Sequence, residues 1–193
     1  KRDMSYPRKK GTRRYDGDRR ETVDMDANNF LIEMVLRTEV DHVGGAPVAK
    51  SDGATGYELA VADNGGVELT LSVNGTQAVA ASTVRINDGD WHHLIAEVDR
   101  GAGNVAFYID GQPAGHGALR LPNDAPLANS ADFVVGRDFR GAIDFLRVAR
   151  STLAESVTDI DELYTWQFDG PHLRDFTGRR PSGMRSAGAI TGN

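Results

Sequence analysis

Cysteine is absent from all 193 residues, which removes disulfide staples, thiolate metal sites and cysteine nucleophiles together. No apolar run approaches the roughly 18 residues that a helical membrane span needs. No self-similarity of solenoid period is present, so repeat architectures are excluded. The chain also lacks an initiator Met and a signal-peptide pattern at Lys1, as expected of a processed or excised piece of a longer protein. The lack of cysteine leaves the compartment open.

What is present is enough apolar material for one core. Hydrophobic side chains make up 39% of the chain, which suits a single domain of roughly 170 residues plus tails. The net charge of −6 is unevenly spread. Lys1, Arg2, Arg8, Lys9, Lys10, Arg13, Arg14, Arg19 and Arg20 outnumber Asp3, Asp16 and Asp18 by nine to three, giving +6 there and −12 on the remainder. Such an arm reads first as a solvated linker lying on its own acidic domain. The alternative is contact with nucleic acid or an acidic polysaccharide through phosphates, sulfates or carboxylates. Only Tyr6 and Tyr15 interleave the basic residues, so a nucleic-acid platform is poorly supported.

From Phe30 onward, period-two alternation dominates. Phe30, Ile32, Met34 and Leu36 alternate with Leu31, Glu33, Val35 and Arg37, and the pattern returns at Tyr57, Leu59 and Val61 and at Val67, Leu69, Leu71 and Val73. A two-residue turn at Asn64-Gly65 would set Val61 opposite Glu68, so Asp63-Asn64-Gly65-Gly66 predicts a three-residue loop with a glycine bulge. At Asn74-Gly75 a type I′ turn sets Leu71 opposite Ala78 and carries Ala80, Ser82, Val84 and Ile86 onto the core face. Further strands are predicted over residues 131–136 and 139–148, where the opposite parity of Ile143 and Leu146 calls for a bulge or for burial on both faces. Thr152-Leu153-Ala154-Glu155 is a capping box, and Val157, Ile160 and Tyr164 follow at helical spacing, so one short helix is expected after the last strand. The expected class is all-β: an antiparallel β-sandwich with that single helix.

The most telling hairpin joins residues 91–98 to 105–109 across Asp99-Arg100-Gly101-Ala102-Gly103-Asn104. Pairing Val98 with Val105 places Leu94, Ala96, Val98, Val105, Phe107 and Ile109 in the core. The same parity separates the tandem histidines. His92 shares the core side and reads as a buried ring hydrogen-bonded beside Trp91, with no nucleophile or carboxylate pair evident near it. His93, Ile95 and Tyr108, with Glu97, fall on the opposite, mixed face, which is either half-solvated or covered by another segment.

In this order and spacing, Asp88-Gly89-Asp90-Trp91-His92-His93, Tyr108-Ile109-Asp110-Gly111, Val135-Gly136-Arg137, Gly141-Ala142-Ile143-Asp144, Leu146-Arg147-Val148 and Leu153 to Leu163-Tyr164 carry a family likeness. Over residues 30–164 the chain resembles the laminin-G-like, concanavalin A-like lectin/glucanase superfamily, in its bacterial form. The resemblance implies a jelly-roll sandwich and an extracellular or cell-surface location. Phe145 departs from the pattern, since an acidic residue commonly follows the family's Ile-Asp pair. The expected organisation is a basic arm over 1–22, the sandwich over 23–165 and a tail over 166–193. Trp166, Phe168 and Phe176 in that tail would each cost a few kcal/mol in water, so the tail is expected to pack on the sandwich or on a partner.

Hydrolases of this superfamily carry Glu, Asp and Glu at alternating positions of one strand, and retaining glycosidases need carboxylates about 5 to 5.5 Å apart. Glu21-Thr22-Val23-Asp24-Met25-Asp26 has the wrong spacing, and Asp159-Ile160-Asp161-Glu162 falls on the predicted helix. His93 and Tyr108 lack the Gln-containing and Arg-rich companions of the family's polysaccharide lyases. No catalytic residue is expected. The leading reading is a non-catalytic carbohydrate-binding or adhesive module of a larger secreted or surface protein, with a glycan, acidic ones included, as partner. Its ligand face is expected at His93, Ile95 and Tyr108, where a ring can stack on sugar C–H faces. Arg137, Asp138, Arg140 and His116 are secondary candidates, for which ordinary surface residues are the simpler reading. The alternative is a structural protein–protein interaction module. Structural calcium is common in the superfamily, and Asp144, with Asp88 and Asp90, supplies oxygen ligands without a continuous calcium-loop motif.

Overall fold

The computed structural model describes residues 23–150, 152 and 153, and the backbone of 161–167. Antiparallel strands fill it: β1 (Phe30–Thr38), β2 (Ala46–Ser51), β3 (Gly56–Val61), β4 (Val67–Val73), β5 (Thr76–Ala81), β6 (Trp91–Asp99), β7 (Asn104–Ile109), β8 (Gln112–Ala118), β9 (Val134–Arg137), β10 (Gly141–Arg150) and β11 (Asp161–Gln167). They form a six-stranded sheet, ordered β11-β10-β1-β6-β7-β8, and a five-stranded sheet, ordered β5-β4-β3-β2-β9. The two layers make a jelly-roll β-sandwich, as the sequence led us to expect.

Each strand forms because its alternate residues have an apolar face to bury. Phe30, Ile32, Met34 and Leu36 of β1 meet Leu59, Leu69 and Leu71 of the opposite sheet in one core, joined by Leu94, Ala96, Val98, Val105 and Phe107. Val98 pairs with Val105 and Ile95 with Tyr108, the register read from the sequence. The β4–β5 connection is the type I′ turn, with Asn74 and Gly75 at φ +49° and +80° and Leu71 opposite Ala78. Val61 pairs with Val67 and the Ala62 amide donates to the Gly66 carbonyl, leaving a three-residue loop with Gly65 at φ +82°. In β10 the register shifts so that Val35 faces Phe145 and Leu36 faces Ile143. Asp144 is therefore the extra, bulged residue, and the bulge brings both Ile143 and Leu146 onto the core.

Two expectations are corrected. Asp161 to Tyr164 are not helical but form the first half of β11, with Tyr164 opposite Val148. The free edge of β10 offers a row of backbone partners that a helix would leave unused. A further strand thus follows the one expected to be last. Glu155, Val157 and Ile160 lie outside the described residues, as do the arm over 1–22 and the tail from 168 onward, which holds Phe168 and Phe176. The backbone of Trp166 belongs to β11, opposite Leu146. Val84, expected in the core, is exposed. The strand ends at Ala81, and the Ser82 hydroxyl takes over the ladder by accepting from the Val67 amide and donating to the Val84 carbonyl, which turns the chain outward.

Candidate functional site

The family hairpin ends in two tight turns that converge on one imidazole. Asp110 and Gly111, at φ +52° and +77°, form the two-residue link from β7 to β8. Asp110 also ties that turn to β6: its amide donates to the His93 carbonyl at 2.8 Å, and its carboxylate accepts from the His93 amide at 2.9 Å. The remaining Asp110 oxygen lies 2.8 Å from His92 Nδ1, while Asp88 Oδ1 lies 3.0 Å from His92 Nε2. Asp88 accepts from the Asp90 amide as well, closing the turn before β6.

His92 is therefore not the core ring expected from its parity. It sits half-buried at the rim, between the carboxylate pair that the sequence did not reveal. Parity assigns a side of the sheet but not a depth, and His92 is only the second residue of β6. Burial works against its positive charge, but hydrogen bonds to Asp110 and then Asp88 outweigh that and raise its pKa above the ordinary value. Asp88 is held below the usual carboxylate range by the Asp90 amide and by His92. With both ring nitrogens engaged, His92 clamps two turns and has no free nitrogen for acid–base chemistry on a substrate.

The expected ligand face is covered. His93 and Ile95 are each 3% exposed, Leu31 on the same face is fully buried, and Tyr108 is half-buried. His93 Nε2 meets Glu33 Oε1 at 2.8 Å, and the other Glu33 oxygen pairs with Arg147. The Leu153 amide donates to Glu97 Oε1 at 2.7 Å, so the chain leaving β10 passes over this face. His93 and Ile95 thus present no surface to a sugar.

The other candidates are not brought together. Arg137 lies in the five-stranded sheet, paired with Glu58. His116 is exposed on edge strand β8, opposite Ala106, and Asp138 occupies a turn at φ +54°. Arg140 stands just before β10, its amide donating to His42 Nε2 and its carbonyl accepting from the Glu39 amide. Asp88 and Asp90 lie before β6, while Asp144 is separated from them by β1. With Asp88 committed to His92, no group of three acidic or histidine side chains able to hold a metal occurs among the described residues. These residues do not fit the expected calcium shell.

What the sequence reading passed over is Trp91 itself. Its parity with His93 turns it away from the core, directly opposite Arg37 of β1. The Arg37 guanidinium stands 5.3 Å from the ring centroid, a cation–π contact. Trp91 is 45% exposed, the one exposed aromatic side chain among the described residues. Val40, also exposed, adjoins the rim, near enough that a Cβ on Gly89 would lie 3.0 Å from it.

Residues 19–157 match the sequence model of the concanavalin A-like lectin/glucanases superfamily. The chain belongs to that superfamily. Among solved structures it is similar to a candidate carbohydrate binding protein from Bacteroides ovatus ATCC 8483, with a TM-score of 0.55, 14% identity and coverage of 79% of this chain and 48% of that one. It is also similar to the binding domain of botulinum neurotoxin DC in complex with rat synaptotagmin II, at 0.53 and 13%, over 67% of this chain and 34% of that one. A botulinum neurotoxin type C structure, from work on cell entry through two ganglioside molecules, aligns at 0.52 and 13%, over 65% and 33%. At these identities the likeness is one of fold. The chain spans about half the length of the Bacteroides protein and a third of the toxin chains. No curated protein matches it in sequence. Among the described residues no helix is long and apolar enough to cross a membrane.

Proposed function

We propose that the chain is a non-catalytic carbohydrate-binding module of a larger secreted or cell-surface protein. The observation that carries this reading is Trp91, an indole presented to solvent at the start of a core strand and braced by Arg37. Leaving such a ring in water costs free energy that stacking on a sugar's C–H face recovers. Further along the same face His93 and Ile95 are covered and Tyr108 is half-buried, and the outer face of the five-stranded sheet carries Glu58, Glu68, Thr70, Gln77 and Val79 instead. A non-catalytic role is supported by Asp88 and Asp110 being tied to one imidazole rather than facing each other across a cleft. The fold-level neighbours that are binding domains, and the lengths of those chains, agree with a module in a larger protein.

The test is a glycan array probed with the wild-type domain and with Trp91→Ala. We expect retention of at least one glycan class by the wild type and its loss in a variant whose circular dichroism is unchanged. A second reading, a protein–protein interaction module, is favoured by the exposure of Val40 and Val43 in the β1–β2 loop, which a sugar does not require. Wild-type silence across the array would remove the carbohydrate reading and leave this one.

A further inference from the structure

Lysine and arginine in the described part of an acidic chain should find carboxylates, and most do. Lys50 pairs with Asp24, Arg85 with Asp41, Arg137 with Glu58, Arg147 with Glu33 and Arg150 with Asp26. Arg100 has no carboxylate partner but is buried, its Nη2 donating to the carbonyls of Pro122 and Ala125. Among the described residues Arg37, Arg120 and Arg140 are exposed without an ion pair or side-chain hydrogen bond. Arg120 follows β8, near the β6–β7 turn at the far end of the sandwich. The other two lie at the Trp91 end.

Strand register brings them together. Trp91 is opposite Arg37, and Arg37 is opposite Ala142, two residues after Arg140. At about 4.8 Å between strands and 3.4 Å per residue, the Arg37 and Arg140 backbones are roughly 8 Å apart, within joint reach of one small anion. Gly141 permits this approach, since a Cβ there would lie 2.0 Å from the Arg37 carbonyl oxygen. The carboxylates in the neighbourhood include Glu39, whose backbone faces Arg140, Asp90, which precedes Trp91, and Asp138, two residues before Arg140; none of the three forms an ion pair. Two unneutralised guanidiniums thus lie at the same end of the sandwich as the exposed Trp91 indole, in a chain whose charge outside the first twenty residues is −12.

We infer that this corner is an anionic-saccharide site: the Trp91 ring stacks on a sugar face while Arg37 and Arg140 bind its carboxylate or sulfate. The inference rests on the carbohydrate-binding reading and narrows it to acidic glycans. A guanidinium matches either anion with paired N–H donors, and a neutral sugar leaves both cations unanswered. Glu39 and Asp90 would repel a loosely placed anion, which favours one that docks squarely on the two arginines.

The test is isothermal titration of the whole chain with an oligogalacturonate, a sulfated chondroitin oligosaccharide, a neutral cello-oligosaccharide and poly-glutamate. Tighter binding of one or both acidic sugars than of the neutral one, weakened about tenfold in Arg37→Gln and Arg140→Gln and by added salt, is the expected result. The uronate and sulfate arms say which anion is preferred. Trp91→Ala should weaken the acidic sugars and leave any poly-glutamate binding unchanged. If the neutral sugar binds as well as the acidic ones, or if the arginine variants bind like the wild type, the inference falls while the carbohydrate reading stands. If poly-glutamate binds as tightly as the acidic sugars, the site reads charge alone and the inference falls. If no saccharide binds, both fall.

Discussion

Lys50 is the buried charge whose removal should be felt most. It is 1% exposed on β2, and because Val48 pairs with Leu59 and Lys50 with Tyr57, its side chain enters from the core side. The aliphatic stem crosses apolar packing and the ammonium emerges at one end of the sandwich. There Nζ lies 3.1 Å from Asp24 Oδ1 and donates to the carbonyls of Asn129 at 3.0 Å and Ala131 at 2.9 Å. Three acceptors satisfy its three protons. The pair pins the segment before β1 and the loop before β9 to the core, beside a Tyr57 hydroxyl that donates to the Val23 carbonyl. Burial, with the Asp24 charge, raises the pKa of that hydroxyl.

Lys50→Met keeps the length of the stem and deletes the charge, leaving Asp24 buried without its cation and two carbonyls without a donor. Breaking a buried pair from one side costs about 3–5 kcal/mol, which for a domain of this size lowers Tm by roughly 10 °C. In Lys50→Met/Asp24→Asn no unpaired charge remains, so the loss should shrink to about 1–2 kcal/mol. Urea unfolding followed by far-ultraviolet circular dichroism at neutral pH supplies all four corners of the cycle. A single variant within about 1 kcal/mol of the wild type, or a double variant equal to the sum of the singles, would refute the reasoning.

Two further predictions concern the hairpin end. The pKa of His92 is raised in the folded state, so its stabilising effect is complete below its unfolded value of about 6.5 and is lost as pH rises through the folded value. The Tm advantage of the wild type over His92→Gln should therefore shrink as pH is raised from 6 upward, and a pH-independent difference would remove the clamp from the account. Gly141 and Gly75 both have positive φ, but a Cβ on Gly141 meets the Arg37 carbonyl oxygen at 2.0 Å whereas one on Gly75 meets nothing within 4 Å. Gly75→Ala should cost about 1 kcal/mol from the backbone alone, and Gly141→Ala clearly more; equal losses in urea unfolding would mean that the approach of β10 to β1 is not tight.

Local periodicity was legible wherever apolar and polar residues alternate cleanly. The register of β6 on β7, the type I′ turn at Asn74-Gly75 and the glycine-bulged loop at Gly65 all followed from one rule, that neighbouring side chains point to opposite faces, and the same rule left a bulge or two-sided burial open for β10, between which the register at Asp144 decides. β2 and β8 went unseen because their residues hide that rule. In β2 a proline interrupts the run and a buried lysine stands where an apolar residue was awaited. In β8, Gly115 and Gly117 remove the contrast, though Gly117 must be small, since a Cβ there would lie 2.6 Å from the Ala80 side chain. The helix expected near Tyr164 failed because a capping box is a local preference and an open sheet edge is a tertiary demand.

By itself, then, the sequence determined the cleanly alternating strands, three of their hairpin pairings and the family likeness, because a two-residue period is a property of adjacent residues. Only the tertiary structure decided depth and partnership. Glu33 meets His93 across 60 residues, Lys50 meets the Asn129 carbonyl across 79, and Arg150 meets the Asp24 carbonyl across 126. Those meetings bury Lys50 and tie down His93, while His92 stays at the rim between two turns and Trp91, of the same parity as His93, is left in the open beside Arg37. Alternation says which way a side chain points, and the distant chain that arrives there decides whether it meets water, a core or a charge.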